Sequence, residues 1–280
     1  MNTKFSVDRL KVIAIIAMLI DHITFIFLSP TAYANPPDSF YFILYEILRG
    51  IGRLTMPLMV FCLVEGFIHT QSISKYLLRL ALFAIPSHFA YVFFMSGSFF
   101  PELSNTVYFH TSIISNLFLT LLFLVVAFKS SMPIAVKIIL SFVLLVLSLF
   151  CDWSFYPLLL SAIFYLTRKR TVLKIFCFIV SIPFWIFFYK YTEFLKTFVA
   201  QGQCSFVSAW QKTIFYFFHT PYYMAFSLGL LLVLPFLILY NGKKSSRTDT
   251  KKRHALKKYF FYIFYPVHLL LLRFIALMIN

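Results

Sequence analysis

The feature that constrains this chain most is the apolar run over residues 10–28, which carries Asp21 and His22 in its interior. About 20 apolar residues are enough for a helix to cross a bilayer. A carboxylate and an imidazole inside such a helix are costly in lipid, so they normally face a bundle interior and mark a functional site. Ala14 and Ala17 share a helix face with Asp21 and let a neighbouring helix approach closely. We expect Asp21 and His22 to line one cavity; the alternative is a pair that only fixes helix packing.

The composition extends this expectation to the whole chain. Of 280 residues, 61% are hydrophobic and 21% aromatic, while only 12% are charged. This balance predicts an all-α, polytopic helical membrane protein that forms a single domain over residues 1–280. The net charge of +16 does not indicate nucleic-acid binding, because the charges lie between apolar runs, and no metal-ligand spacing or glycine-rich phosphate loop is present. We expect nine transmembrane helices, at about 10–29, 52–69, 74–95, 111–129, 132–150, 153–167, 171–190, 220–240 and 258–278, with Phe40–Leu48 as an interfacial or re-entrant lead-in.

The distribution of basic residues predicts the orientation. With the N-terminus in the cytoplasm and the C-terminus outside, only six of the 25 Lys and Arg residues fall on the outer side: Arg49, Arg53, Lys190, Lys196, Lys212 and Arg273. Positive residues favour the cytoplasmic side, so we expect a multi-pass protein of a bacterial inner membrane. The stretch Ala32-Tyr33-Ala34 resembles a signal-peptidase site, but Asp21-His22 interrupts the apolar region that a signal peptide requires.

The segment RGIGRLTMP, residues 49–57, supplies the expected partner for Asp21. Arg53 is the natural counter-charge, and Asp21 would then orient His22 and raise its basicity. Pro57 cannot donate to the carbonyl of Arg53, so we expect a kink there. Both arginines have a plainer interpretation as interfacial anchors that snorkel.

A second polar group is predicted at the cytoplasmic end. Glu65 and His69 are four residues apart, as are Lys75 and Arg79 at the start of the next run. We assign these four residues, together with Arg49, to binding of an anionic cytoplasmic cofactor, because Lys and Arg bind phosphate well. The alternative is that the basic residues only orient the protein.

Four segments of this sequence resemble the TraX family: IAMLIDHI, RGIGRLTMPLMVFCLVEGFIHT, KYLLRLALFAIPSHF and YIFYPVHLLLL. TraX proteins are integral-membrane proteins associated with conjugative pili, and the founding activity is acetylation of the pilin N-terminus. The resemblance implies that Asp21, His22, Arg53, Glu65 and His268 are motif residues. It extends more distantly to membrane acyltransferases that O-acetylate cell-surface sugars from acyl-CoA, which is an analogy of fold only.

The resemblance therefore implies an acetyl-CoA-dependent acetyltransferase whose partners are a pilin or another cell-surface acceptor and the membrane lipid. His22, oriented by Asp21, would act as the general base or carry the acyl group briefly, while Arg53 and His268 stabilise the oxyanion. Two alternatives stay open: a glycan O-acetyltransferase, and a proton-coupled transporter that uses the same charges as a relay.

The four cysteines give a further expectation. We expect Cys62 and Cys177 to be buried free thiols in the membrane. Cys151 and Cys204 fall in predicted outer loops, where an oxidising compartment could join them.

Overall fold

A computed structural model describes residues 5–101, 110–200, 205–219, 221–240 and 251–279. Within these residues the chain is helical and forms no strand, so the predicted all-α class is confirmed. The α-helices are α1 (Val7–Ile23), α2 (Ser29–Tyr33), α3 (Phe40–Gly52), α4 (Thr55–His69), α5 (Ile73–Ser96), α6 (Ile113–Leu124), α7 (Ile134–Ser148), α8 (Tyr156–Leu166), α9 (Thr171–Ala200), α10 (Phe206–His219), α11 (Leu234–Leu239) and α12 (Lys251–Ile279). Two π-helical segments, Thr24–Leu28 and Val125–Lys129, and a 3-10 helix, Pro221–Val233, complete the elements.

Five helical segments of the described chain are long and apolar enough to cross a membrane. They are Val7–Tyr33, Phe40–His69, Ile73–Ser96, Thr171–Leu195 and Tyr259–Ile279. Four shorter apolar segments lie where four more of the nine spans were predicted: Ile113–Lys129, Ile134–Ser148, Tyr156–Leu166 and Phe226–Leu239. The number of segments that cross the bilayer stays a prediction.

The second long segment begins earlier than the sequence indicated. It starts with α3, whose first turn is capped by Ser39 accepting a hydrogen bond from the backbone N–H of Phe42 at 3.2 Å. Helix α3 packs against α1 and the 3-10 helix and ends in a turn at Arg53 and Leu54. The interruption therefore precedes Pro57, which lies in the first turn of α4, where its missing N–H is not needed.

The core lies where α1, α4, α5, α6, α8 and α12 pack together. Ala14 and Ala17 are buried, and the hydroxyl of Thr55 on α4 donates to the carbonyl of Ala14 at 3.1 Å. This close approach is what small residues permit. Large apolar side chains such as Ile16 and Ile47 are more than half exposed on the outer faces, as expected of helices that face lipid.

Three cysteines lie within the described residues, and all are free thiols: Cys62 and Cys151 are buried and Cys177 is half-buried. Cys151 accepts a hydrogen bond from the hydroxyl of Thr111 at 2.9 Å. Cys204 lies outside the described residues, so the expected bridge between Cys151 and Cys204 stays a prediction.

Candidate functional site

Two histidines from opposite ends of the sequence meet inside the bundle. Nδ1 of His22, on α1, lies 2.7 Å from Nε2 of His268, on α12. Nδ1 of His268 lies 2.8 Å from the carbonyl oxygen of Phe264. A carbonyl oxygen only accepts, so Nδ1 of His268 carries the proton, and in a neutral imidazole Nε2 is then the acceptor. His22 therefore donates from Nδ1 and keeps the lone pair of its Nε2.

Packing fixes the two rings in this arrangement. Their centroids are 5.0 Å apart and their planes differ by 19°. The ring of Phe94 lies 5.2 Å from that of His22, and Phe264 stacks on His268 at 4.8 Å. Because both nitrogens of His268 are hydrogen-bonded, its predicted role as an oxyanion donor is not available; the ring holds His22 instead.

The carboxylate of Asp21 binds arginines and not the neighbouring histidine. Its Oδ2 lies 2.7 Å from Nη1 of Arg49, and its Oδ1 lies 3.8 Å from Nη2 of Arg53. Within the described residues no hydrogen bond or ion pair joins Asp21 to His22, because adjacent helical residues project about 100° apart. The prediction that Asp21 orients His22 is therefore wrong, and His268 does so.

The glycines between the two arginines let the helices approach this closely. A Cβ atom at Gly52 would overlap the carboxylate of Asp21. A Cβ atom at Gly229, on the 3-10 helix, would overlap the backbone of Gly50. The RGIGR segment thus combines two arginines for charge with two glycines for contact, one toward α1 and one toward the 3-10 helix.

Aromatic rings enclose the arginines. The guanidinium of Arg53 lies 4.9 Å from the ring centre of Trp153 and 4.7 Å from that of Phe226, and Arg53 is only 9% exposed. Arg49 lies 5.3 Å from the ring centre of Phe25. Neither arginine is an interfacial anchor that reaches toward the water, and both line the cavity beside His22.

The turn between α7 and α8 contributes a carboxylate, Asp152, that the sequence did not single out. Trp153 and Ser154 have φ angles of 65° and 50°, which non-glycine residues rarely adopt. The amide of Asn116 donates to the carbonyls of Asp152 and Ser154 at 2.7 and 2.8 Å, and the N–H of Trp153 donates to Oδ1 of Asp152 at 3.0 Å. These three bonds hold the strained turn.

The charge of Asp152 is set by its surroundings. Burial raises the pKa of this carboxyl to about 6, and the nearby Arg53 opposes that rise. The feature of the sequence that could have pointed to this carboxylate is that Asp152 is the one acidic residue between Glu102 and Glu193.

These groups surround two cavities that we call the polar cavity and the vestibule. The polar cavity has a volume of about 260 Å³ and is lined by Asp21, His22, Arg49, Arg53 and Asp152 among aromatic rings. The vestibule has about 470 Å³. The two share five lining residues, which are Tyr91, Met95, Asp152, Trp153 and Tyr189. Asp152 therefore lies at their junction.

A third cavity, the inner cavity, lies on the other side of the histidine pair. It holds about 100 Å³ and is mostly apolar, with Met18, Met56 and Met59 among its lining residues. Met18 precedes His22 by one helical turn. Lys11 also lines this cavity, about 17 Å along α1 from His22.

The five residues assigned to cofactor binding do not all lie together. Glu65, His69, Lys75 and Arg79 form one group, and Arg49 lies apart from it. Glu65 accepts from the hydroxyl of Tyr240 at 2.7 Å and lies 3.6 Å from Nε2 of His69. Lys75 is exposed, and Arg79 lies against the ring of Tyr76, which lines the inner cavity.

Arg49 does not join that group. The backbone of Phe5 pairs with that of Tyr240, so Glu65 lies near the start of α1. Asp21 and its partner Arg49 lie 16 residues further along, about 24 Å away. The assignment of Arg49 to the cytoplasmic cofactor group is therefore wrong.

Comparison with known proteins adds two findings. The family model described as "TraX protein" matches residues 6–276. The chain is also 32% identical over 275 residues to a "Probable fimbrial assembly protein FimC, serogroup H1" of Dichelobacter nodosus, covering 97% of this chain and 96% of that protein. No solved structure matches.

Proposed function

The chain belongs to the TraX family, and on that premise we propose that it is a membrane-embedded acetyltransferase. The donor is cytoplasmic acetyl-CoA, and the acceptor is the N-terminal amine of a pilin or a similar cell-surface subunit. The fimbrial-assembly name of the relative from Dichelobacter nodosus supports an acceptor of this kind.

The observation that carries the proposal is the direction of the hydrogen bonds at the histidine pair. His268 holds Nδ1 of His22 and leaves Nε2 as a base that lines a polar cavity. A general base needs a fixed orientation and an available lone pair. The hydrogen bonds that run from the carbonyl of Phe264 through His268 to His22 fix the orientation of His22. They also leave the lone pair of its Nε2 available.

The reaction then follows from these residues. His22 accepts at Nε2 the proton that the amine loses as its nitrogen bonds the thioester carbonyl carbon. Arg53, whose Nε has no hydrogen-bond partner within the described residues, stabilises the oxyanion that forms. His22 returns the proton to sulfur as the carbon–sulfur bond breaks, giving the acetylated amine and the thiol.

The inner cavity suits the thioester arm of the donor. It is narrow and apolar, and it extends from Lys11 and Tyr76 to residues within one turn of His22. Lys75 and Arg79 lie beside Tyr76 on α5, where basic side chains can bind the phosphates of the donor. Glu65 is occupied by Tyr240 and His69, so its role is to fix this end of the bundle.

We further propose nine crossings of a bacterial inner membrane, with the N-terminus cytoplasmic and the C-terminus outside. The support is the excess of Lys and Arg near the end that carries Lys11 and Lys75. In this orientation the polar cavity and the vestibule face the outer side. Reporter fusions at Ser246 and Asn280, both outside the described residues, should report opposite sides.

The test is acetyl transfer by the purified protein in sealed liposomes. Labelled acetyl-CoA is supplied on one side, and a peptide with the free N-terminus of a candidate pilin on the other. The matched control is the same peptide with a blocked N-terminus. Neither peptide contains a lysine. Label on the free peptide alone supports the proposal.

Two other results would replace it. Label on a glycan hydroxyl but not on the peptide would indicate an O-acetyltransferase. Movement of unmodified peptide across the membrane, driven by a proton gradient, would indicate the transporter class.

A further inference from the structure

An amine acceptor has one more proton to lose than a hydroxyl acceptor. An N-terminal amine has an ordinary pKa of about 7.7–8.0, so near neutral pH most of it is an ammonium group, which cannot attack a carbonyl. His22 takes one proton during attack and returns it to the leaving sulfur. The ammonium must first lose another proton to become an amine, and that proton needs a different acceptor.

Asp152 is placed to be that acceptor. It lies at the junction of the vestibule and the polar cavity, so a group moving from one to the other passes it. Its Oδ1 atom accepts one backbone bond from Trp153. Asn116 and the left-handed Trp153 and Ser154 hold the carboxylate at this position.

The lining of the junction also suits a cation. Trp153, Tyr91 and Tyr189 present rings there, and aromatic faces attract an ammonium group. Glu193 lines the vestibule and is ion-paired with Lys190 at 2.7 Å. The charged and titratable groups around Asp152 are Asp21, His22, Arg49, Arg53, Tyr91, His110, Cys151, Tyr189, Lys190, Glu193 and Tyr265.

On the basis of the proposed acetyl transfer, we propose that Asp152 takes the proton of the acceptor ammonium before His22 acts, and so fits the site to an amine. The N–H bond of the ammonium breaks, the proton moves to Oδ2 of Asp152, and the electron pair stays on nitrogen. Asp152 then releases the proton to the water of the vestibule. The sum is one ammonium and one thioester giving one amide, one thiol and one proton.

The raised pKa of Asp152, about 6, is consistent with this role. At neutral pH the carboxylate is ionised and able to accept. Its pKa is closer to the pKa of an amine than the pKa of an ordinary aspartate is.

The experiment compares the wild-type protein with Asp152→Asn on two peptides at two pH values. One peptide carries an N-terminal amine, and the other is identical except for a hydroxyl in its place. Asn keeps the bond to the N–H of Trp153 through its own Oδ1, so the turn is retained. Asp38→Asn is the matched control, because Asp38 is exposed and does not line either cavity.

The expected result follows from the fraction of neutral amine in solution. At pH 6.5 about 4% of an ordinary N-terminal amine is neutral, so Asp152→Asn should acetylate the amine peptide more slowly than the wild-type protein, by at most about 25-fold. At pH 9 most of the amine is neutral, and the deficit should shrink to within about twofold. Transfer to the hydroxyl peptide should be unchanged at both pH values.

Three outcomes would overturn the proposal for Asp152: no loss at pH 6.5, the same loss at pH 6.5 and pH 9, or equal loss with both peptides. The last two would assign Asp152 a structural role. If the hydroxyl peptide is not an acceptor at all, the pH comparison decides alone. Failure of the wild-type protein to acetylate either peptide would instead remove the proposed function itself.

Discussion

The polar cavity and the inner cavity lie on either side of one pair of histidines and share almost no chemistry. Charged side chains from four parts of the chain line the first, and they include Asp21, Arg53 and Asp152. Mostly methionine, leucine, isoleucine and aromatic side chains line the second, where Lys11 is the one charged lining residue and three tyrosines and Thr55 supply hydroxyl groups. The histidine pair is therefore a boundary: a charged or polar reactant suits one side and an apolar chain suits the other.

The largest expected effect comes from removing His22, the proposed base at this boundary. His22→Ala should lower acetyl transfer by about 10²–10⁴-fold, the usual effect of losing a positioned general base. The protein should still insert and fold, as checked by detergent gel filtration and thermal unfolding. A variant that kept more than about a tenth of the wild-type rate would exclude His22 as the base.

The next effect tests what orients that base. His268→Ala removes the acceptor for Nδ1 of His22 and should cost about 10–100-fold, as loss of an orienting partner typically does. His268→Gln should recover part of the rate, because a glutamine can accept from Nδ1 with its oxygen and donate to the carbonyl of Phe264 with its amide. Equal rates for the Ala and Gln variants would argue against an orienting role.

A smaller effect is expected from filling the inner cavity. Met59→Trp should lower acetyl transfer at least about 10-fold, because the added ring occupies the space proposed for the thioester arm. The matched control is Ile47→Trp on an outer face, where the side chain is 57% exposed. Rates are measured over a range of acetyl-CoA concentrations; an unchanged rate in Met59→Trp would place the donor elsewhere.

The smallest effect concerns stability and pH on the polar side. Asp152 has a pKa of about 6 in the folded chain and about 3.9 when unfolded, so folding favours its protonated form. Its ionisation therefore lowers stability as pH rises from about 4 to about 6, and the loss persists above. Asp152→Asn should raise the unfolding temperature by about 6–10 °C at pH 7 and by only about 1–2 °C at pH 4. A rise of the same size at both pH values would contradict the shifted pKa.

Much of this arrangement could be predicted from the sequence, because burying a charge in lipid is so costly that charged residues must find one another. That argument brought Asp21, Arg53, His22 and His268 to one region, and the structure confirms that they meet. It could not assign their partners. Asp21 and His22 are adjacent in sequence, yet a rotation of about 100° per residue turns them to different neighbours.

Asp152 could not be predicted as a site residue for a different reason. It is a single acid between two apolar runs, with no motif around it, and only the tertiary structure shows that its turn reaches the arginines. The 3-10 helix was equally hidden, since its sequence is apolar and its contact with α3 depends on the absence of side chains at Gly50 and Gly229.

The hydrogen-bond series at the histidine pair has a consequence for the path that a proton can take. The series ends at the carbonyl of Phe264, and a carbonyl cannot pass a proton onward. Beyond it lies the inner cavity, whose lining is mostly apolar but includes the hydroxyl groups of Thr55, Tyr76, Tyr262 and Tyr265. In the proposed reaction His22 therefore exchanges protons at Nε2, which lies on the side of the polar cavity, and not at Nδ1, which is held by His268.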